Sequence, residues 1–348
     1  MTCSLRLTAR CSDIYKSNLC GLDLARQKFE RDTLFRMKPL FELPAGRRYD
    51  VVGFGSNAVD NIIVVDSYPK FNSKKEFLSH RRLAGGEAAS TMVGLTRLGL
   101  RTAYAGSFGD DEDGKFGFSS LSEEGVDVSF SRIVENARTQ SAFIIVDKNS
   151  GERTILWKRD ASLNFPTEAV PVELAAEARV LHLTPHDLDA AVMMAEAARS
   201  AGTIVTIDID SPTNSYELLL PLVDVCIVSD NFPRAAFGES DPRRGLKMIK
   251  EKFGCTIAGI TLGSRGSMFL SDDGINESPA FAAPGGCKDT TGAGDAFRAG
   301  FIFGMLSGSG IAGCARSANA VAALKCRSIG ARSALPTAKE LSTLLKNY

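Results

Sequence analysis

Histidine is scarce in this sequence, with three in 348 residues, and tryptophan occurs once. His80, His182 and His186 are too few imidazoles for a built-in transition-metal centre, and the eight cysteines contain no C-x-x-C pair that would complete one. Those cysteines are also too sparse for a disulfide scaffold, so reduced thiols and a cytoplasmic location are expected. No run approaches the roughly 18 apolar residues of a transmembrane helix, which excludes a membrane partner of that kind. Net charge is missing too. The 41 basic residues balance 41 acidic ones and no Lys/Arg run is interleaved with aromatics, so nothing here would hold a nucleic acid. Two phosphate-binding signatures are lacking as well, the G-x-x-x-x-G-K-[ST] loop and the dinucleotide G-x-G-x-x-G. Gly53-Phe54-Gly55 begins the second but has no third glycine.

What is present is an ordinary globular composition, 44% hydrophobic and 24% charged, enough for a sizeable core. Residues 1–46 read as an extension without stable order, ahead of one domain over 47–348. The opening MTCSLRLTARCS is basic and acid-free like a transit peptide, but Asp13, Asp23, Glu30 and Asp32 break that pattern, and Met37 offers an alternative start. From Tyr49 onward, short β-branched runs alternate with Ala-rich helical stretches, the pattern of a mainly parallel α/β sheet. Strands are expected at Asp50–Gly53, Thr102–Gly106, Ala178–Leu183, Ile204–Ile207, Val223–Val228, Ile257–Thr261 and Ser267–Leu270. Helices are expected at Glu87–Leu98, Asp187–Ala201, Pro242–Phe253, Asp295–Leu306 and Ile311–Cys326, with Gly99, Gly202 and Gly254 stopping the first three. Two stretches break the alternation. Phe71–Leu83 and Thr139–Lys158, the latter turning at Asn149-Ser150-Gly151, read as antiparallel strands of a small sheet, either a lid or a peripheral ornament.

The most informative segment is Asp289-Thr290-Thr291-Gly292-Ala293-Gly294-Asp295 at the start of a helical stretch. Unshielded amides at Gly292, Ala293 and Gly294 form an anion hole at a helix N-terminus, suited to a transferring phosphoryl group. Asp295 beside it is placed to take the proton of an attacking hydroxyl. A glycine turn with an N-capping aspartate has the same letters. A second segment, Thr261-Leu262-Gly263-Ser264-Arg265-Gly266, follows a strand with glycines, a hydroxyl and an arginine that suit nucleotide phosphates, although a plain strand-end turn looks similar.

Taken in order, these motifs resemble the ribokinase-like PfkB family of carbohydrate and nucleoside kinases over roughly Tyr49 to Pro336. Asp289 to Asp295 match its D-T-x-G-A-G-D signature, and Gly85-Gly86-Glu87-Ala88-Ala89-Ser90 running to Leu98-Gly99 resembles its first signature. The resemblance implies a three-layer α/β/α sandwich with a small β lid, lid segments at about 71–84 and 139–158, and in-line transfer from ATP with Mg²⁺. It implies Asp295 as base, the Gly292 to Gly294 amides as anion hole, and Asp60, Gly85, Gly86 and Ser90 on the acceptor. Thr261, Gly263, Ser264, Arg265, Gly266, Asn231 and Asn319 fall at the nucleotide. A monovalent cation such as K⁺ would be held by Asp289, Thr291, Lys325, Ser328, Gly330 and Ala334, mainly through carbonyls.

Two positions depart from the family. Arg234 stands where many members carry the acid of N-x-x-E, and Ser90 stands where an asparagine usually reaches the sugar. The expected acceptor is a small sugar or sugar acid phosphorylated on a primary hydroxyl, with Arg159 or Lys158 meeting a carboxylate. A nucleoside acceptor, for which Phe71 and Phe77 leave room, and a non-catalytic sensor remain as alternatives. A homodimer through exposed lid edges is a further expectation.

Overall fold

The computed structural model describes residues 39–212 and 215–348; most of the expected N-terminal extension lies outside them. Within the described part, the domain begins earlier than residue 47. Leu40, Phe41 and Leu43 pack on the core, and the Arg47 guanidinium caps the chain at the Ala176 and Ala201 carbonyls.

The elements run β1 (Tyr49–Phe54), β2 (Ala58–Val65), β3 (Ser79–Gly85), α1 (Glu87–Arg97), β4 (Thr102–Ala105), β5 (Ser107–Gly109), α2 (Glu112–Glu123), β6 (Arg132–Val134), β7 (Ser141–Asp147) and β8 (Arg153–Lys158). They continue with β9 (Ala178–Leu183), α3 (Leu188–Ser200), β10 (Ile204–Ile209), β11 (Val225–Ser229), α4 (Asn231–Phe237), α5 (Pro242–Phe253), β12 (Ile257–Thr261), β13 (Ser267–Ser271), β14 (Gly274–Ser278), α6 (Ala293–Leu306), α7 (Ile311–Lys325) and α8 (Ala338–Lys346).

Eight strands form the central sheet in the order β14-β13-β12-β11-β10-β9-β1-β4. The pairs from β4 to β12 are parallel, and the last two strands run antiparallel at one edge. Alternate side chains of the central strands feed two cores. Val51, Val180 and Val225 point into one with α1, α6 and α7. Val52, Leu181 and Val205 point into the other with α3 and α5. Strands buried on both faces are why these segments read as continuous β-branched runs.

A second sheet of four strands, β3-β2-β7-β8, stands beside the first. Two expectations change here. The strand inferred at Phe71–Leu83 begins only at Ser79 and runs to Gly85, while residues 71–78 are irregular, opening on a turn in which Asn72 adopts a left-handed φ of 56°. Lys74, Lys75 and Glu76 offer no apolar face for pairing, and Lys75 is drawn back to Asp66 and Ser67. The sheet instead gains β2, whose Ile62 and Val64 pack with Ala142, Ile144 and Val146. The hairpin turning at Gly151 is present, with φ 73° at that glycine.

Candidate active site

The site lies where the C-terminal ends of the parallel strands meet the second sheet, the usual crevice of open α/β folds. α6 starts from Gly292, whose φ is 74° and whose position would put a Cβ 2.7 Å from the Ala331 Cα, so the turn demands glycine. Of the three amides expected to form an anion hole, that of Ala293 donates to the Thr290 carbonyl at 3.1 Å. The Gly292 and Gly294 amides have no acceptor among the described residues, so the hole is narrower than its letters suggest. Helix N-terminal amides left in this state carry partial positive charge.

Asp295, on the first turn of α6, is 8% exposed. Its carboxylate accepts no hydrogen bond among the described residues. Burial pushes it up to about 7; the charge of Glu87 adds to this, and Arg298 opposes it. A carboxyl poised there is matched to taking a proton near neutral pH.

Arg298, one turn along α6, is a residue the motifs did not reveal. Its fully buried guanidinium pairs with Asp208 at 2.6 Å and Asp210 at 3.5 Å and donates to the Ile227 carbonyl at 3.1 Å. Glu87 opens α1, where Ser56 donates to it at 3.0 Å and neutral His186 approaches at 3.3 Å. Surrounding protein pushes Glu87 up to about 7, with Asp210 adding to it, even though 37% of its side chain meets solvent. Four carboxyls thus face one guanidinium. The sequence held two signals of this: a lone arginine in the apolar stretch after Asp295, and the acids Asp208, inside the strand Ile204–Ile209, and Asp210, just past its end.

Asp60, expected at the acceptor, projects from β2 and is 4% exposed. A Cβ at Gly85 would fall 2.1 Å from the Asp60 carboxylate, and one at Gly86 (φ 89°) 2.3 Å from the Asn57 Cα. The glycine pair therefore lets the β3–α1 turn close on Asp60, which is a packing reason for the first motif. Burial raises Asp60 to about 7, against the pull of Arg332 and with the push of Asp295.

Arg332, also missed in the sequence, donates to Ser90 Oγ at 3.2 Å, to Ser120 Oγ at 3.1 Å and to the Gly85 carbonyl. Ser90 is fully buried and serves Arg332 behind the glycine pair, so the direct acceptor contact expected of it is not what the structure places there. Arg159 is engaged by its own downstream turn, donating to Asn164 Oδ1 at 2.6 Å and the Leu163 carbonyl at 3.2 Å. Phe71 and Phe77 are exposed on the 71–78 turn. The aromatic on the Asp60 face is Trp157, because register puts Leu83, Asp60, Ala142 and Trp157 in one row across the second sheet. Trp157 is 60% exposed and meets the His186 ring edge-on at 6.0 Å.

Of the residues expected at the nucleotide, Asn231 and Arg265 line a cavity of about 150 Å³, together with Asp230, Arg234, Ser240 and Leu262, among others. Arg234 donates to Asn231 Oδ1 at 2.8 Å and Arg265 pairs with Asp230 at 3.5 Å. Gly263, Ser264 and Arg265 form an exposed turn after β12, and Thr261 ties that strand to the Val228 carbonyl at 3.4 Å. Gly266 (φ 96°) would bring a Cβ within 2.1 Å of the Ser278 carbonyl. The Asn319 amide nitrogen donates to Ser267, Ser278 and the Ala315 carbonyl, tying α7 to β13 and β14.

The residues expected around a monovalent cation do come together. Asp289, fully buried, accepts from the Thr291 amide at 2.8 Å and the Gly330 amide at 2.7 Å, and its carbonyl accepts from the Lys325 ammonium at 2.8 Å. The Lys325 carbonyl takes the Ser328 amide and the Ala334 carbonyl takes Arg327, both at 3.5 Å. The buried Thr291 hydroxyl has no partner among the described residues. The hairpin tip reaches this loop as well, where Thr290 donates through amide and hydroxyl to the Gly151 carbonyl at 3.0 Å.

Residues 49–338 match the model of the pfkB family of carbohydrate kinases. A nucleoside kinase of Methanothermobacter thermautotrophicus is 30% identical over 84% of this chain and 94% of its own. An ATP-dependent ribose-1-phosphate kinase of Halopiger xanaduensis is 31% identical over 82% of this chain and 94% of its own. Among solved structures, Arabidopsis thaliana ribokinase complexed with ribose and ATP superposes with a TM-score of 0.74 at 25% identity, covering 86% of this chain and 99% of the other. With the D-T-T-G-A-G-D turn built as a helix N-terminus and the three-layer fold around it, the chain belongs to the pfkB family of carbohydrate kinases.

Proposed function

We propose that this kinase transfers the γ-phosphoryl group of ATP to a primary hydroxyl of a small sugar or sugar acid. The observation that carries this is the desolvated Asp295 carboxyl, raised to about 7 beside the unpaired Gly292 and Gly294 amides. Asp60 orients the acceptor, Asp295 removes the hydroxyl proton, and the two amides stabilise charge on the phosphoryl oxygens. Glu87 and Asp210 are the carboxylates that fit Mg²⁺, since Arg234 holds the position where many relatives have an acid and is bonded to Asn231. The metal, when bound, neutralises phosphate charge. Arg234 and Arg265 border the nucleotide cavity and fit its phosphates.

The second sheet acts as a lid that excludes water. Its outer face exposes Phe143 and Leu156, which supports pairing of two copies there. The free buried thiols Cys226, Cys255, Cys314 and Cys326 fit a reducing, cytoplasmic location.

A nucleoside is the second reading, favoured by Trp157. It stands two strand spacings, about 10 Å, from Asp60 on the same face. A two-ring acceptor spans that distance, whereas a pentose gripped at Asp60 leaves Trp157 unused.

The test is ADP release from Mg·ATP across sugars, sugar acids and nucleosides, with Asp295→Asn beside the unaltered protein. Acceptor-dependent turnover abolished in the variant is expected. Tight nucleotide binding without turnover on any acceptor would make the chain a sensor.

A further inference from the structure

The inner face of the second sheet turns polar at one end. Along β7 that face carries Ala142, Ile144 and Val146, which pack with Ile62 and Val64 of β2. Thr139 points the other way, its hydroxyl donating to Asp111 at 2.7 Å. Gln140 lies between, one residue after Thr139 and two before Ala142, so strand alternation sets it on the Asp60 face. The Val59 amide donates to its carbonyl at 2.9 Å and carries the β2–β7 ladder on to it.

Gln140 is 8% exposed. Its side-chain oxygen is buried without a hydrogen bond, and its amide nitrogen donates to nothing among the described residues. A primary amide buried with none of its bonds made costs stability, so its reason lies outside the fold. Arg159, just past the Lys158–Ser141 pair and the nearest cation along β8, is turned instead onto Asn164 and Leu163.

Ala142 is the small floor of a triangle. Asp60 flanks it on β2 and Trp157 on β8, and one strand spacing with two residues of rise puts the Gln140 backbone about 8 Å from each. An unused primary amide presents a donor and an acceptor side by side, and its two-point complement is an adjacent neutral donor and acceptor. Neighbouring hydroxyls of a sugar have that chemistry, and so does the edge of a nucleobase.

We propose that Gln140 is a specificity-determining residue of this site, its amide binding an adjacent neutral donor and acceptor on the molecule that Asp60 holds. The proposal rests on the kinase reading for where that molecule sits and for the kinetic part of its test.

The test compares the full chain with Gln140→Met, which keeps the unbranched shape and removes the amide. Without any ligand the variant is expected to melt about 1–4 °C higher, because an unpaired polar group has left a buried place. This comparison needs neither turnover nor substrate. With ribose, fructose, adenosine, inosine and purine riboside as phosphoryl acceptors, kcat/KM on the preferred compound is expected to fall about 10- to 100-fold through KM, the worth of two hydrogen bonds. The KM for ATP stays level. A loss on adenosine that spares purine riboside, which lacks the exocyclic amine, puts the amide on a base edge, and an equal loss on both puts it on sugar hydroxyls. If the chain binds these compounds without turnover, the kinase reading fails, and the rise in melting temperature that each compound causes replaces the rate and is expected to be smaller in the variant.

A ligand-free variant that melts at or below its parent overturns the proposal, because the amide then has a partner inside the protein. So does a variant that matches its parent in KM, or in ligand-induced melting, on every compound bound. Where no compound of the panel binds, the ligand-free comparison decides by itself.

Discussion

Replacing Asp295 with asparagine separates the chemistry of that carboxyl from its energetic cost. A carboxyl held at about 7 instead of 3.8 represents a penalty of about 4 kcal/mol for ionising it inside the folded protein. The sign follows from proton binding. Below about pH 4 the group is protonated in both states and contributes nothing, from there to 7 only the unfolded chain releases its proton, and stability therefore falls as pH rises. Above 7 the whole penalty is present. Asparagine has nearly the same shape and no charge, so it removes this penalty, which is already net of the attraction to Arg298. The expected gain at pH 8 is about 2–4 kcal/mol, or about 3–6 °C in melting temperature for a domain of this size. The gain shrinks towards pH 4. Turnover should drop about 100- to 10,000-fold, the worth of a general base. Scanning calorimetry at pH 5 and 8, with a pH profile of kcat/KM whose acid limb is expected near 7, checks both halves. A variant no more stable than its parent at pH 8, or an acid limb near 4, would refute the claim that this carboxyl is desolvated.

Asp60→Asn is expected to raise the acceptor KM about 10- to 100-fold, the range of one hydrogen bond to a charged group, while the KM for ATP stays level; steady-state kinetics with each substrate varied decides this. Gly292→Ala forces a side chain into a left-handed φ of 74° and against Ala331, which should cost about 1–3 kcal/mol in denaturant unfolding and most of the turnover. Trp157 is the sole tryptophan and shares a face with Asp60, so on the proposed reading acceptor alone should change its emission, and an unchanged spectrum at saturating acceptor would remove it from the site.

Much of the fold was legible because parallel strands buried on both faces read as short apolar runs. Ala178–Leu183, Ile257–Thr261 and Pro242–Phe253 stand where the pattern put them. The second sheet was harder. β2 carries Asp60 in the middle of an otherwise clear strand, and the motif drew attention from the Ile62-Ile63-Val64-Val65 run behind it. At the site, Asp295, Asp60 and the glycine turns were readable since each belongs to a compact motif. Arg298 and Arg332 were not, because each is one charged residue in a small-residue context whose partners come from remote strands and turns. The amide of Ala293, which donates to Thr290, and the hydroxyl oxygen of Ser90, which accepts from Arg332, show the converse, motif positions whose polar atoms are engaged inside the protein.

The row from Leu83 through Asp60 and Ala142 to Trp157 belongs to a sheet built from only two short stretches of chain. The glycine turn, Asp295 and the Arg298 cluster are carried by the other sheet and its helices. Inheritance can therefore treat the two separately. Substitutions along β7 and β8 can reshape what the enzyme accepts while the phosphoryl-transfer apparatus is passed on unaltered, and a new acceptor can be acquired without first losing the old reaction.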